Sequence, residues 1–476
     1  MKAKKILFAS LLAAVAVTAT GCNGQTDSKQ GITEDKIYIG NTAATSGAYS
    51  AVGQPFNLGL NASLKVYNDA GGFGGKTVEL KHYDDGFDAT QGLTYTEKLV
   101  EEDQVFALVG HFGTPTVGAT VDYIVDKGIP MVYAATGVSA LYNENAEGNE
   151  KAVMSVQPIY NSEGRVLLAR AAASTEGNKG LGGKKIGVIS TTDEAGTGLL
   201  AGIQRQALEL PEALRNNIKY VTTDAATGTN HATAVTALKN EGCDVVIIAA
   251  NQTPFEEILS YFKTTGYDNV KTITSYVSAN AALAAKLFAA GSLTETRQAY
   301  TTAWLDITDA TYFYAPEATN VVGTVLWACY KALVAGTAYA TMYDNGVPGY
   351  SQDYWKAAEA IFAYAYDGTA DSIANAFAMS YNSYALAGYI AGETFLTGLK
   401  RVDEANKELS WKTYIAAMED GIIDIPMGGG VDYSGGQRLG IQDLALNKMG
   451  PGLTGAGELE VYSPITTLDA VMEAVK

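Results

Sequence analysis

One pattern constrains this chain more than any other: a run of short apolar strands alternating with helices, written twice. Lys36-Ile37-Tyr38-Ile39-Gly40 reads as a strand, followed by the loop Thr45-Ser46-Gly47-Ala48-Tyr49. A helix with Leu58, Leu60, Leu64 and Tyr67 at helical spacing comes next. The glycines of Ala70-Gly71-Gly72-Phe73-Gly74-Gly75 end it. Then come the strand Val78-Glu79-Leu80-Lys81-His82-Tyr83, an acidic turn at Asp84, Asp85 and Asp88, and a helix over 90–101. Val105-Phe106-Ala107-Leu108-Val109-Gly110 and Ile129-Pro130-Met131-Val132-Tyr133-Ala134 read as further strands around another helix. The grammar restarts at Lys185-Ile186-Gly187-Val188-Ile189-Ser190, with Gly196-Thr197-Gly198 opening a helix. Ile218-Lys219-Tyr220-Val221 and Asp244-Val245-Val246-Ile247-Ile248-Ala249 close the second set around a helix carrying Ala232, Val235 and Leu238. Strands this apolar on both faces predict parallel sheets covered by helices on each side. The expected fold class is α/β, with two doubly wound, Rossmann-like lobes. In such sheets a ligand sits beyond the carboxyl ends of the strands, and two facing lobes make a cleft there.

The amino terminus places that fold in a compartment. Lys2, Lys4 and Lys5 precede an apolar run over 6–19 and then Ala19-Thr20-Gly21-Cys22. A basic start, a short apolar core and small residues before a cleavage point make a secretory signal. The run is shorter than the ~20 residues that span a bilayer. Small residues immediately before Cys22 are similar to the lipobox of bacterial lipoproteins, with Ala19 where an aliphatic residue is usual. A plain signal peptide cleaved nearby is the alternative. The stretch after Cys22 has almost nothing to bury, which predicts a flexible leash. The expected location is extracytoplasmic, held to the membrane by lipid alone.

With 476 residues, 47% of them hydrophobic, the chain can build a large core. Its formal charge of -18 repels nucleic acid. Beyond Cys22, Cys243 and Cys329 both sit in apolar settings and read as buried free thiols. The apolar run over 321–334 is interrupted by Cys329, Tyr330 and Lys331, and reads as a buried helix. Residues 308–379 are helical in flavour and rich in Ala and Tyr, and residues 427–436 look like a hairpin-rich closing region.

Catalytic and cofactor signatures are missing. There is no Gly-x-Ser-x-Gly, no His-Glu-x-x-His and no Cys-x-x-Cys, and His82, His111 and His231 are scattered. Gly71-Gly72-Phe73-Gly74-Gly75-Lys76-Thr77 resembles a P-loop, but Ala70 stands where the first glycine belongs and a strand follows instead of a helix. Gly196-Thr197-Gly198-Leu199-Leu200-Ala201-Gly202 resembles a dinucleotide fingerprint with its last glycine one residue late. No enzyme, metal or cofactor is expected.

Taken together, Ile39-Gly40, Thr45-Ser46-Gly47, the glycine run before Lys76, Tyr83-Asp84-Asp85, Lys98-Leu99-Val100, Val109-Gly110, Ile129-Pro130-Met131 and the segment Tyr381-Asn382-Ser383-Tyr384-Ala385-Leu386-Ala387-Gly388-Tyr389 resemble a known family. These residues look like the type I periplasmic solute-binding proteins of ABC importers, in the leucine/isoleucine/valine-binding branch. The resemblance covers roughly residues 36–440. It implies two lobes joined by a three-crossover hinge that close on a small solute, in a monomer that meets ABC permease subunits. The implied division is a signal peptide (1–21), a tether (22–35), lobe 1 (36–157), lobe 2 (158–306), lobe 1 again with the added helical segment (307–425), and a closing part of lobe 2 (426–476).

The resemblance also implies site residues. The positions that hold a ligand carboxylate match Thr114, in His111-Phe112-Gly113-Thr114, and Ala134 with Thr136. Hydroxyls and amide N–H groups at strand ends suit an anion without a counter-charge. Tyr160 and Asn251 match in the second lobe. The acidic residue that would meet an α-ammonium falls at Tyr276, and the covering aromatics fall at Val52 and Ala195. Asp193, Glu194 or Glu256 would have to supply the charge from a shifted position. The expected ligand is a small polar solute, an amino acid or a related carboxylate or amide. A ligand-sensing receptor domain of the same fold is the alternative.

Overall fold

The computed structural model describes residues 24–305, 352–369, 371–380, 382–451 and 457–475. The expected signal peptide, Cys22, Cys329 and residues 308–351 of the added segment lie outside the described residues. The first sheet holds β1 (Lys36–Ala43), β2 (Thr77–Asp84), β3 (Ala107–Val109), β4 (Met131–Val132) and β5 (Val153–Met154). Its order is β2-β1-β3-β4-β5 and all pairings are parallel, with Ile39 opposite both Leu80 and Ala107.

The second sheet begins with β6 (Ile186–Thr191), β7 (Ile218–Thr223), β8 (Val245–Ala249), β9 (Val270–Thr274) and β10 (Arg297–Ala303). A small antiparallel pair, β11 (Ile423–Asp424) and β12 (Gly430–Val431), precedes β13 (Leu444–Gly450) and β14 (Glu458–Thr466). The order is β14-β13-β10-β9-β8-β6-β7. The core strands are parallel, whereas β13 runs antiparallel to β10 and β14 antiparallel to β13. This antiparallel edge was not anticipated: Leu444, Leu446 and Met449 do not keep a two-residue alternation, because β13 is buried on both faces. Of the added helical segment, Gln352–Ala365 and Ser372–Ser380 are helices, the first packed on the first lobe.

Each lobe contains a close helix crossing built on glycine. In the first, helices Ser50–Asp69 and Ser383–Glu404 meet where Gly59 and Gly388 interlock. A Cβ on Gly59 would lie 1.8 Å from the carbonyl oxygen of Ala385, and one on Gly388 would lie 1.8 Å from that of Phe56. In the second, a Cβ on Gly164 would reach the Leu199 carbonyl at 2.1 Å, and one on Gly202 the Asn161 carbonyl at 2.0 Å. These crossings draw helices Tyr160–Ala172 and Glu194–Ala207 together. In both lobes the crossing lies just behind helix ends that face the cleft.

The chain passes from the first lobe to the second along residues 155–159. It leaves the second lobe after β10 and is back on the first by helix Gln352–Ala365. It returns finally between helix Trp411–Met418 and β13. The last passage is laced to the first. Tyr433 donates its hydroxyl to the Ser155 carbonyl at 2.8 Å, and the Ile441 amide donates to Val156 at 2.7 Å. The Arg438 guanidinium is fully buried, donates to the Lys151 carbonyl at 2.7 Å and pairs with Glu419 at 2.9 Å.

The stretch expected as a flexible leash behaves differently from residue 24 onward. Gln30 donates its amide to the carbonyls of Val100 and Val105, and the Trp411 and Lys412 amides donate to Ser28 and Asp27. Low apolar content pointed to disorder, but this stretch is fixed by polar contacts to backbone groups. Cys243 is a buried free thiol, as expected.

The helix crossing gives a direct test. Gly388→Ala forces a methyl group onto a backbone carbonyl, and overpacking of this kind costs about 1–3 kcal/mol. The melting temperature should drop by several degrees. Gly429→Ala, with nothing within 4 Å of the added carbon, should leave it unchanged. Equal melting of both variants would contradict the crossing.

Candidate ligand-binding cleft

Parallel strands joined by right-handed crossovers bring the helix starts to one edge of each sheet. Here six helices begin at the cavity between the lobes. They are Ser50–Asp69, Thr114–Lys127 and Ser383–Glu404 from the first lobe, and Tyr160–Ala172, Gln252–Thr264 and Ala281–Ala289 from the second. Their N–H groups and dipoles favour negative charge in the space they share. The cavity has a volume of about 330 Å³. Phe56, Phe112, Trp304, Tyr354 and Tyr384 contribute aromatic wall. Among the described residues that line it, none is Asp, Glu, Lys, Arg or His.

Three of the expected residues meet at one point. Thr114 and Thr136 share a hydroxyl hydrogen bond at 2.8 Å, and the Tyr160 hydroxyl lies 3.2 Å from Thr114. Thr114 and Thr136 belong to the first lobe and Tyr160 to the second, so this cluster bridges the cleft at the start of helix Thr114–Lys127. Burial pushes the Tyr160 phenol up to about 12, so it stays protonated and able to donate. Two backbone features aim the loops. Gly113 at φ 103 turns the chain into the helix, and Tyr133 sits at φ 57, a left-handed conformation that costs an aromatic residue about 1–3 kcal/mol. The strain at Tyr133 immediately precedes the turn that presents Thr136.

The other expected positions divide. Asn251 lines the cavity and donates its amide to Asp193 at 3.2 Å. Tyr276 also lines it, but its hydroxyl points to the hinge, accepting from Gln157 at 2.8 Å and donating to the Pro158 carbonyl at 3.1 Å. Ala134 is buried and does not line the cavity, whereas Ala135 does. None of the three acids expected to supply a shifted charge lines it either. Asp193 caps helix Glu194–Ala207, Glu194 lies against Gly118 across the cleft, and Glu256 pairs with Lys286 at 2.5 Å.

Two further contacts cross between the lobes. Tyr384 donates its hydroxyl to Gln252 at 2.7 Å, and Ser139 is hydrogen-bonded to Asn161. At the cleft wall Tyr49 stacks on Phe87 with ring centroids 3.8 Å apart. Reading the sequence missed Tyr49, Phe87, Gln157, Trp304 and Tyr384. Nothing local marked Trp304, because the strand before it, β10, carries Arg297, Gln298, Thr301 and Thr302 and does not read as an apolar run.

Residues 36–333, more than half of the chain, match the family described as periplasmic binding protein. The chain belongs to the periplasmic binding protein family. Among curated proteins, this family member is 26% identical to a Leu/Ile/Val-binding protein homolog of Brucella melitensis over 215 residues, 44% of this chain and 53% of the relative. The chain spans about half or less of the length of the curated relatives it matches. Among solved structures, a fatty acid ABC transporter substrate-binding protein from Thermomonospora curvata superposes with a TM-score of 0.64 at 16% identity, over 95% of this chain and 97% of that one. A solute-binding protein from R. palustris in complex with benzoate gives 0.60 at 15%, over 91% and 98%. At such identity the likeness is one of fold: type I, with two doubly wound lobes.

Two buried groups behind the cleft make this periplasmic binding protein's stability respond to pH. His111 is hydrogen-bonded to Thr120 at 3.0 Å, and burial lowers its pKa from 6.5 to about 4. It stays neutral in the fold while the unfolded chain takes up a proton, so its contribution is lost as pH falls. Glu163 is also fully buried, and burial raises it from 4.5 to about 7. Its contribution is present at low pH and is lost as pH rises through that value. Between about pH 7 and about pH 5 the slopes oppose each other, each worth about 2 kcal/mol. His111→Gln should therefore gain stability relative to the unaltered chain as pH falls across this window. Parallel urea-unfolding curves at both ends of the window would contradict the assignment.

Proposed function

We propose that this protein is an extracytoplasmic solute-binding protein. It binds a small molecule with a carboxylate or amide at one end and an apolar, ring-bearing body, and presents it to an ABC permease. The observation that carries this reading is the hydroxyl cluster of Thr114, Thr136 and Tyr160 at a helix start, inside an aromatic cavity. The cluster and the N–H groups of helix Thr114–Lys127 give an anion donors without a counter-charge. The rings give the rest of the ligand flat apolar surface. The likeness in fold to proteins that bind benzoate and fatty acids supports the same ligand chemistry. An α-amino acid brings an ammonium group, and burying that charge unpaired is costly. No described lining residue offers it a carboxylate. Asn251 and Tyr276 complete the wall of the second lobe. The sequence around Cys22 supports a lipid anchor on that residue, which would keep the protein beside the permease.

A thermal-shift panel of benzoate, benzamide and phenylalanine tests the ligand class. A ligand at ~100 times its dissociation constant adds ~2.7 kcal/mol, a visible shift. Benzoate should shift the melting temperature most. Thr136→Ala should weaken its binding by about 1–3 kcal/mol, the cost of leaving a buried charge one donor short. Stabilisation by phenylalanine alone would reject the ligand class, and no response to any of the three would count against the site.

A further inference from the structure

Glu163 stands in the first turn of helix Tyr160–Ala172 with no exposed surface. Its carboxylate accepts from the Ser275 hydroxyl at 2.7 Å and from the Tyr276 backbone N–H at 2.8 Å, and it is also hydrogen-bonded to Thr302. Ser275 and Tyr276 form the turn that follows β9. Thr302 lies near the end of β10, two residues before Trp304. A single carboxyl group therefore joins three separately folded pieces of the second lobe. Each carries a residue of the cavity wall: Tyr160, Tyr276 and Trp304. The titratable groups facing it are phenols. Tyr160 stands on its own helix, Tyr276 on the turn, and Tyr133 beyond Tyr276 from the first lobe. The charged Asp193, from the neighbouring helix, acts on Tyr160.

We propose that Glu163 is a positioning residue for the cleft: its carboxylate fixes Tyr276 and Thr302 against helix Tyr160–Ala172, and uptake of a proton loosens that wall. The chemistry of the three partners gives the reason. A backbone N–H can only donate, so Tyr276 always needs an acceptor here. A proton on Glu163 must therefore point at a hydroxyl, which turns that hydroxyl from donor to acceptor. The carboxyl group, once neutral, is a weaker acceptor for the Tyr276 N–H. The three donors hold the charged form in place, while burial opposes it and brings the proton equilibrium near neutrality. The wall thus tightens with rising pH while the Glu163 contribution to global stability falls. That a loosened wall holds its solute less firmly rests on the solute-binding reading; the positioning role does not.

The test needs no ligand, so it can fail independently of that reading. The purified full chain is labelled with 15N at tyrosine, and the Tyr276 amide signal is assigned by its loss in Tyr276→Phe. The Tyr276 signal should move between about pH 5 and about pH 9, with a midpoint near 7. Glu163→Gln should abolish the movement. Ser275→Ala removes one donor to the charged form and should shift the midpoint upward. A Tyr276 signal that stays still, or that titrates unchanged in Glu163→Gln, overturns the proposal. Should Glu163→Gln fail to fold, an unchanged midpoint in Ser275→Ala overturns it.

Discussion

The parallel direction of the core strands is the constraint on which the rest of this structure depends. A connection between parallel strands carries the chain from the carboxyl end of one strand into a helix that starts on that same edge. Repeated in two facing lobes, it points the starts of Ser50–Asp69, Thr114–Lys127, Gln252–Thr264 and Ala281–Ala289 at one space. Tyr160–Ala172, entered from the other lobe, and Ser383–Glu404, entered from a helix, add two more. The six that begin at the cavity supply oriented N–H groups, and these belong to the backbone. Side chains are then released from charge recognition and can supply shape. This accounts for a cleft whose described lining is aromatic, aliphatic or neutral polar although the chain carries a net charge of -18.

Close packing lets the helix starts converge. Four glycines remove the side chains that would separate Ser50–Asp69 from Ser383–Glu404 and Tyr160–Ala172 from Glu194–Ala207. The first pair joins segments more than 300 residues apart in the chain. Its contact brings Tyr384 from a late helix beside Val52 and Phe56 from an early one. The laced passages around Arg438, Tyr433 and Ser155 perform the matching task between the lobes, because they fix the strip of chain from which Gln157 and Pro158 hold the Tyr276 hydroxyl.

What the sequence disclosed, and what it hid, follows from the range of the interactions. The positions of β1–β4 and β6–β8 were legible because most of these strands are short apolar runs bounded by turn residues, whereas β9, β10, β13 and β14 mix charged, amide or hydroxyl residues into their runs and were not read. Thr114, Thr136 and Tyr160 came from the family resemblance. The positive φ of Tyr133 was not legible, since only the loops around it impose it. Tyr384 and Trp304 look like ordinary core residues until the helix crossing and the end of β10 place them in the cavity. Residues 24–35 looked unstructured because burial of apolar groups was the signal sought, whereas polar bonds to Trp411, Val100 and Val105 hold them. The charge expected from Asp193, Glu194 or Glu256 in place of Tyr276 was displaced: none of the three lines the cavity. The carboxylate nearest Tyr276 is Glu163, which sits behind it and binds its backbone.

That displacement changes what an acid can do at this wall. A carboxylate facing the ligand would bind an ammonium directly and select for it. One placed behind the wall cannot touch the ligand, and it acts only through the groups it holds. Its energetic setting differs as well. It has no opposing charge in contact, so burial and hydrogen bonding, which act in opposite senses, decide its proton equilibrium. Balance between two large opposed effects is what brings a group with an ordinary value of 4.5 to about 7. Such a balance responds to the loss of a single donor, and Ser275 and Thr302 are the donors a side-chain substitution can remove, the third being the Tyr276 backbone N–H.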